Sequence, residues 1–216
     1  MSRSAAQFVC EAAAAAISER GRFMLALSGG RTPRRVYEIL SGAAMPWQDV
    51  HLFWGDERCV PATDPSSNYR MAEEVLLSKI PVPPENVHAM PVEGGSPDAA
   101  AQSYEDMLRG FFPGAVTFDL ILLGVGPDGH TASLFPGSSA LSERKRWVVA
   151  VDGKEGNPPV PRLTLTLPAI NASRRAAFLA AGLDKKEIHD KISTGADLPA
   201  ARVAPRERLL WFLSET

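Results

Sequence analysis

Apolar residues along this chain fall into short unbroken runs, separated by longer stretches in which they recur at helical spacing. FMLAL (23–27), FDLILLG (118–124) and RAAFLAAG (175–182) are continuous runs, the pattern of strands buried on both faces. VHLFW (50–54), VHAM (87–90), WVVAV (147–151), RLTLTL (162–167) and LLWFL (209–213) are predicted as further strands. Between them the spacing predicts helices over 4–20, ending at Gly21, and from about Pro33 to Leu40. Pro33 suits a first helical turn, where its missing N–H would find no partner anyway. A third helix covers 66–80 with Ser66 or Ser67 as N-cap, and a fourth runs from about Asp98 to Arg109. PAINAS begins a short helix, and DKKEIHDKI (184–192) forms the last. PVPPEN reads as a rigid connector and DGKEGNPPVP as a polar surface loop.

Strands alternating with helices predict an α/β fold: a doubly wound, mainly parallel sheet with helices on both faces, three-layered and Rossmann-like. No repeat or linker divides the 216 residues, so one domain over 1–216 is expected. In such sheets ligands bind beyond the carboxyl ends of the strands. Three strand ends here open into chemically unusual turns: SGGRTP, GDER and GPDGHT. If the strands are parallel, all three gather at one edge.

SGGRTP (Ser28 to Pro33) joins a strand to a helix start. Gly29 and Gly30 allow a tight turn with inward-pointing N–H groups, and Ser28 and Thr32 add hydroxyls, which suits a phosphate. The competing reading is a plain turn with Thr32 as N-cap. No Gly-Lys-Ser/Thr follows, so it is not a Walker loop. In GDER, Arg58 offers a fork for phosphate or carboxylate, and Asp56 or Glu57 a base or an acceptor for sugar hydroxyls. The same charges would also fit a solvated turn.

GVGPDGH has the G-x-G-x-x-G spacing of a dinucleotide loop through Gly124, Gly126 and Gly129, and Asp152 ends a later strand. Three features oppose that reading. Asp128 would face a pyrophosphate, Pro127 removes a donor, and TASLF is too short for a crossover helix. The alternative is a tight turn that presents Asp128 and His130. An imidazole titrates near neutral pH and can take a proton from water, with the carboxylate orienting it or contacting substrate instead.

Composition narrows the partners. The formal net charge is −2 and charged residues make up 22%, giving no field for a nucleic acid or an acidic membrane. No apolar run reaches the roughly 20 residues of a membrane span. The Ala-rich start carries Glu11 and no strongly basic segment, so a helix of a cytoplasmic protein is expected rather than a secretion signal. Cys10 and Cys59 read as free thiols. Cys59, next to GDER, has no base beside it in sequence, which leaves it a minor alternative as a nucleophile. His51, His88, His130 and His189 form no close pair with another His or Cys, which argues against zinc.

LSGGRTP, FWGDERCVPATDPSSNYRMA, FDLILLGVGPDGHTASLFPGS, PRLTLTLPAINAS and the FLAAG strand followed by Lys185 and Lys186 together resemble the 6-phosphogluconolactonase family. The likeness runs from about residue 20 to the LPAARV segment. It implies hydrolysis of 6-phospho-D-glucono-1,5-lactone in the oxidative pentose phosphate pathway, with neither metal nor organic cofactor. His130 matches the family's proposed catalytic histidine, with Asp128 beside it. The SGG loop, Arg58, Lys185, Arg202 and Arg162 match its sugar-phosphate-binding positions. The implied partner is a small sugar-phosphate lactone, with the chain a monomer or weak homodimer. Glucosamine-6-phosphate deaminases share the fold, the SGG loop and the DGH triplet. They carry a glutamate a few residues after that histidine, where this chain has Phe135. A deaminase-like isomerase and a non-catalytic sugar-phosphate sensor on the same scaffold are the alternatives.

Overall fold

The computed structural model describes residues 1–215. Helix α1 (Ser2–Arg20) buries Ala5, Val9, Ala12, Ala13 and Ala16 along one stripe and ends where Gly21 turns into the left-handed region (φ 74°). Then follow β1 (Phe23–Leu27), α2 (Arg31–Leu40), β2 (Val50–Trp54) and β3 (Asp56–Arg58). Helix α3 (Asn68–Val75) is capped by Ser67, whose hydroxyl accepts from the Arg70 amide. Next come β4 (Val87–His88), α4 (Pro97–Phe111), β5 (Leu120–Leu123), β6 (Val148–Val151), β7 (Arg162–Leu165), α5 (Leu167–Asn171), β8 (Arg175–Ala181), α6 (Leu183–Ser193) and β9 (Arg208–Ser214).

Six strands form one sheet in the order β4-β2-β1-β5-β8-β9, every pair parallel. Every residue of β1 and β5 is buried, as their unbroken apolar runs require. Helices cover both faces. In β9, Trp211 meets His189 of α6 while its neighbour Phe212 meets Phe8 of α1, and successive strand residues point to opposite faces. The mainly parallel α/β fold is therefore as expected. The strand order reverses between β1 and β5, because one branch continues through β2 and β4 and the other through β8 and β9. A crevice at such a reversal is where an open α/β sheet holds its ligand.

Two expectations need correction. The DER of GDER (Asp56–Arg58) is a strand, not a loop, and 147–151 and 162–167 do not join the parallel sheet. Instead β3, β7 and β6 form a separate antiparallel sheet, with Asp56 opposite Thr164 and Arg58 opposite Arg162. Gly55 is the handover point: its N–H donates to the Leu27 carbonyl of the first sheet and its carbonyl accepts from Leu165 of the second. One residue thus moves the chain from β2 into β3. Boundaries also shift: Leu167 opens α5 rather than closing a strand, and VHAM contributes only Val87 and His88.

Candidate active site

The turn after β1 and the turn after β5 flank the crevice at the strand reversal, and the second sheet adds Asp56, Arg58 and Arg162 to its lining. They enclose a cavity of about 260 Å³ lined by residues from all three turns, among them Ser28, Gly30, Asp56, Arg58 and His130, together with Arg162 and Lys185. The predicted convergence is present.

Each turn is shaped by what it must fit. A Cβ on Gly29 would fall inside the carboxamide of buried Asn68, so the β1 turn packs directly on the first residue of α3. Asn68 in turn donates from Nδ2 to the Asp56 carbonyl at 2.9 Å. Gly30 takes φ 108° as it enters α2. In β3 the pleat divides the charges. Asp56 and Arg58 face the cavity, and Glu57 points the other way. There its carboxylate accepts from the amides of Arg58, Asn68 and Tyr69 at 2.7, 2.8 and 2.7 Å. Two of those amides begin α3, where a negative charge complements the helix dipole. Burial nevertheless raises the Glu57 carboxyl above its ordinary range, against the pull of these bonds.

The turn 126–130 closes on itself through Gly126 N–H to the His130 carbonyl and Gly129 N–H to the Gly126 carbonyl. A side chain at Gly126 would overlap the His130 imidazole and the Asp128 carboxylate. Gly129 (φ 80°) supplies the left-handed step and lies against Leu198. The glycine spacing therefore serves an Asp–His pair, not a pyrophosphate. No helix follows the turn before the short 3₁₀ segment at Ser139–Ser142. Asp128 accepts from His130 twice, from its amide at 3.1 Å and at Nδ1 at 2.6 Å. Burial pushes the Asp128 carboxyl up, but the His130 amide and imidazole outweigh it and hold it below its usual range. With Nδ1 engaged, Nε2 is the ring nitrogen left for the cavity. Phe135 backs the imidazole at 4.7 Å between ring centroids.

The cavity is short of acceptors. Among the described residues, Ser28 Oγ, Arg58 Nε and Arg162 Nε are buried without a hydrogen-bond partner, and all three residues line it. Arg58 donates elsewhere to the Ser66 carbonyl, and Arg162 donates from Nη2 to the Pro158 carbonyl at 3.0 Å. Burial and then the nearby Arg58 push the Arg162 guanidinium pKa down. Two cations side by side with open donors suit an anionic ligand. Asp56 accepts from Ser133 Oγ at 2.7 Å on one oxygen and, at 3.4 Å, from Asn68 Nδ2 on the other, and the Ser133 amide bonds Thr164 Oγ1 on β7. Lys185, in the first turn of α6, completes the cationic wall.

Not every predicted residue is here. Thr32 faces a different hollow with Arg31, Arg35 and Gly182. Arg202 is exposed and held by Asp197 through two bonds of 2.8 Å, away from the cavity lining. Asp128 stands behind His130 rather than in the lining. Cys59 is not in the lining either, and burial raises its thiol, so it is poorly set up as a nucleophile. Asn68 and Ala132, the latter at φ 48°, line the cavity and were not expected from sequence. A larger groove of about 390 Å³ opens beyond Arg58, but its Arg34 and Arg70 already pair with Glu74. Among the described residues no three His, Cys, Asp or Glu side chains gather as metal ligands.

A sequence model of glucosamine-6-phosphate isomerases/6-phosphogluconolactonase matches residues 1–211. The chain is 44% identical over 208 residues to a 6-phosphogluconolactonase of Synechocystis, covering 93% of this chain and 85% of the relative. Its fold is similar to the crystal structure of 6-phosphogluconolactonase from Thermotoga maritima, with a TM-score of 0.91, 34% identity and coverage of 99% and 94% of the two chains. The 6-phosphogluconolactonase of Trypanosoma brucei superposes with a TM-score of 0.89 at 31% identity, covering 99% and 92%.

Proposed function

The chain belongs to the glucosamine-6-phosphate isomerase/6-phosphogluconolactonase family, and we propose that within it this protein is a 6-phosphogluconolactonase, hydrolysing 6-phospho-D-glucono-1,5-lactone to 6-phosphogluconate in the oxidative pentose phosphate pathway. The observation that carries this reading is the meeting of an Asp-backed imidazole with open cationic donors around one small cavity.

The phosphate binds to Arg58, Arg162, Lys185 and the Ser28–Gly30 turn, and Asp56 accepts from a sugar hydroxyl. Charge-assisted bonds contribute roughly 1.5–3 kcal/mol each, enough to fix the lactone carbonyl beside His130. Neutral His130 removes a proton from water at Nε2 as the oxygen attacks C1. The carbonyl π pair moves onto oxygen, and the amides of the glycine-rich turns or an arginine receive that oxyanion. When the oxyanion collapses, the bond from C1 to the ring oxygen breaks and His130 returns the proton to that oxygen. Asp128 holds the imidazole tautomer throughout. We assign no metal or organic cofactor to these steps. Thr32 and Arg202 receive no contact with substrate in this scheme.

Phe135 weighs against the deaminase reading, since an apolar ring packs on the imidazole where that chemistry expects a carboxylate. A sensor would have no need of the Asp128–His130 pair. Residues 1–216 act as one unit, a monomer or weak homodimer in the cytoplasm, with neither nucleic acid nor membrane as partner; no described helix is long and apolar enough to cross a bilayer. One experiment separates the readings. Lactone loss is followed above its spontaneous rate, beside ammonia release from glucosamine 6-phosphate. Lactonase activity without ammonia is expected, and ammonia release or no catalysis at all would refute the assignment.

A further inference from the structure

Arg162 owes its placement to a strap that the mechanism does not touch. Between β6 and β7 the chain folds back over the guanidinium. Gly156 N–H donates to the Gly153 carbonyl at 2.8 Å, Val160 N–H to the Pro158 carbonyl at 3.0 Å, and Pro158 also accepts from Arg162 Nη2. The strap is tied to β3 by Cys59 N–H to the Pro161 carbonyl at 2.8 Å. Gly153 (φ 67°) needs its left-handed backbone and lies so close to the Val160 carbonyl that no Cβ would fit. Gly156 is different. Its φ is not positive, so the position does not use glycine's backbone freedom. It uses the empty space. A Cβ there would sit 2.5 Å from Nη2, 2.7 Å from Cζ and 2.8 Å from Nε of Arg162. On the other side, Arg162 Cζ stands 5.7 Å from the Phe135 ring centroid.

We propose that Gly156 is a positioning residue for the phosphate-binding arginine: its bare Cα lets the strap close on the Arg162 guanidinium and hold it at the cavity wall. The inference rests on the lactonase reading for its substrate. The atoms that a methyl would strike belong to the end of a flexible side chain and not to backbone. A substitution therefore displaces the guanidinium and leaves the frame standing. It acts on binding through Arg162, without touching substrate.

The test is a cycle of wild type, Gly156→Ala, Arg162→Ala and the double variant, read as KM and kcat for the phosphorylated lactone together with melting temperature. Gly156→Ala is expected to raise KM roughly tenfold, the loss of one charge-assisted bond, with kcat within about twofold and little change in melting. On the Arg162→Ala background the same substitution is expected to change KM by less than about twofold. An unchanged KM in the single variant, or an equal rise on both backgrounds, would overturn the proposal. If Gly156→Ala does not fold, the double variant must recover folding; failure to do so would place the clash in the frame and also overturn it. Wild-type enzyme without lactonase activity would refute the functional reading instead, and the cycle is then read from the Kd of 6-phosphogluconate by calorimetry.

Discussion

Replacing Arg162 by methionine separates what this cation does for the empty protein from what it does for the loaded one. The residue is 3% exposed, its Nε has no partner, and burial together with Arg58 disfavours its charge. A buried charge with incomplete pairing destabilises the fold, and an unbranched apolar chain of similar length often restores stability. Against that gain stands the Pro158 carbonyl, which keeps the Val160 N–H but loses its second donor, at a cost of at most about 1 kcal/mol. The net expectation is a gain on the order of 1 kcal/mol in the free protein, or about 2–4 °C in melting temperature for a chain of this size. In the complex the sign reverses. One lost charge-assisted bond to phosphate, at about 1.5–3 kcal/mol, raises KM by roughly 10- to 150-fold. Thermal unfolding with and without 6-phosphogluconate, beside initial rates, reads both effects. The variant should melt above wild type when empty and gain less from ligand. A variant that melts lower when empty and keeps its KM would refute the idea that a bound anion pairs with Arg162.

The Asp–His turn makes its own predictions. Gly126→Ala should displace the imidazole and lower turnover about a hundredfold while the protein stays folded, checked by rates and circular dichroism. Asp128→Asn keeps an acceptor but removes the charge; turnover should fall about 10- to 100-fold with KM little changed, as steady-state kinetics will read. His88 stacks on Phe53 at 4.4 Å, and burial, then His51, pushes its pKa down to about 4. The unfolded chain then binds more protons between about pH 6.5 and 4, so this stability is complete above pH 6.5 and lost as pH falls toward 4. Because the ring is only partly buried, screening reduces the effect to roughly 1–2 kcal/mol, and His88→Phe should flatten urea-unfolding stability across that window.

The parallel sheet was legible because FMLAL, FDLILL and RAAFLAA are apolar without alternation, which only strands covered on both faces require. The site was legible for a related reason. The topology sends the ends of such strands to one edge, and that edge carried SGG, DER and DGH. The second sheet was hidden because its pairing is long-range. Nothing local tells RLTLTL that its partner is DER, or that Gly55 switches sheets. Alternation did not mark a solvent face either, since Arg162 and Thr164 turn toward the cavity and the Ser133–Asp56 network instead of toward water. Arg202 lies outside the cavity lining and pairs with Asp197 five residues earlier, a contact that its sequence motif does not signal. Gly156 lay in a stretch rich in glycine and proline that reads as plain surface loop. Its contact with Arg162 is close in space but has no signature in sequence.

In this scheme one imidazole, backed by Asp128, performs proton transfer for a ring held by separate cations. The most direct measurement compares His130→Ala with wild type in two quantities: turnover of the phosphorylated lactone above the spontaneous rate, and the Kd of 6-phosphogluconate by calorimetry. Turnover should fall by about 10²–10⁴-fold with Kd within about threefold. Near-normal turnover, or a loss of binding that accounts for the whole fall in rate, would refute this role for His130.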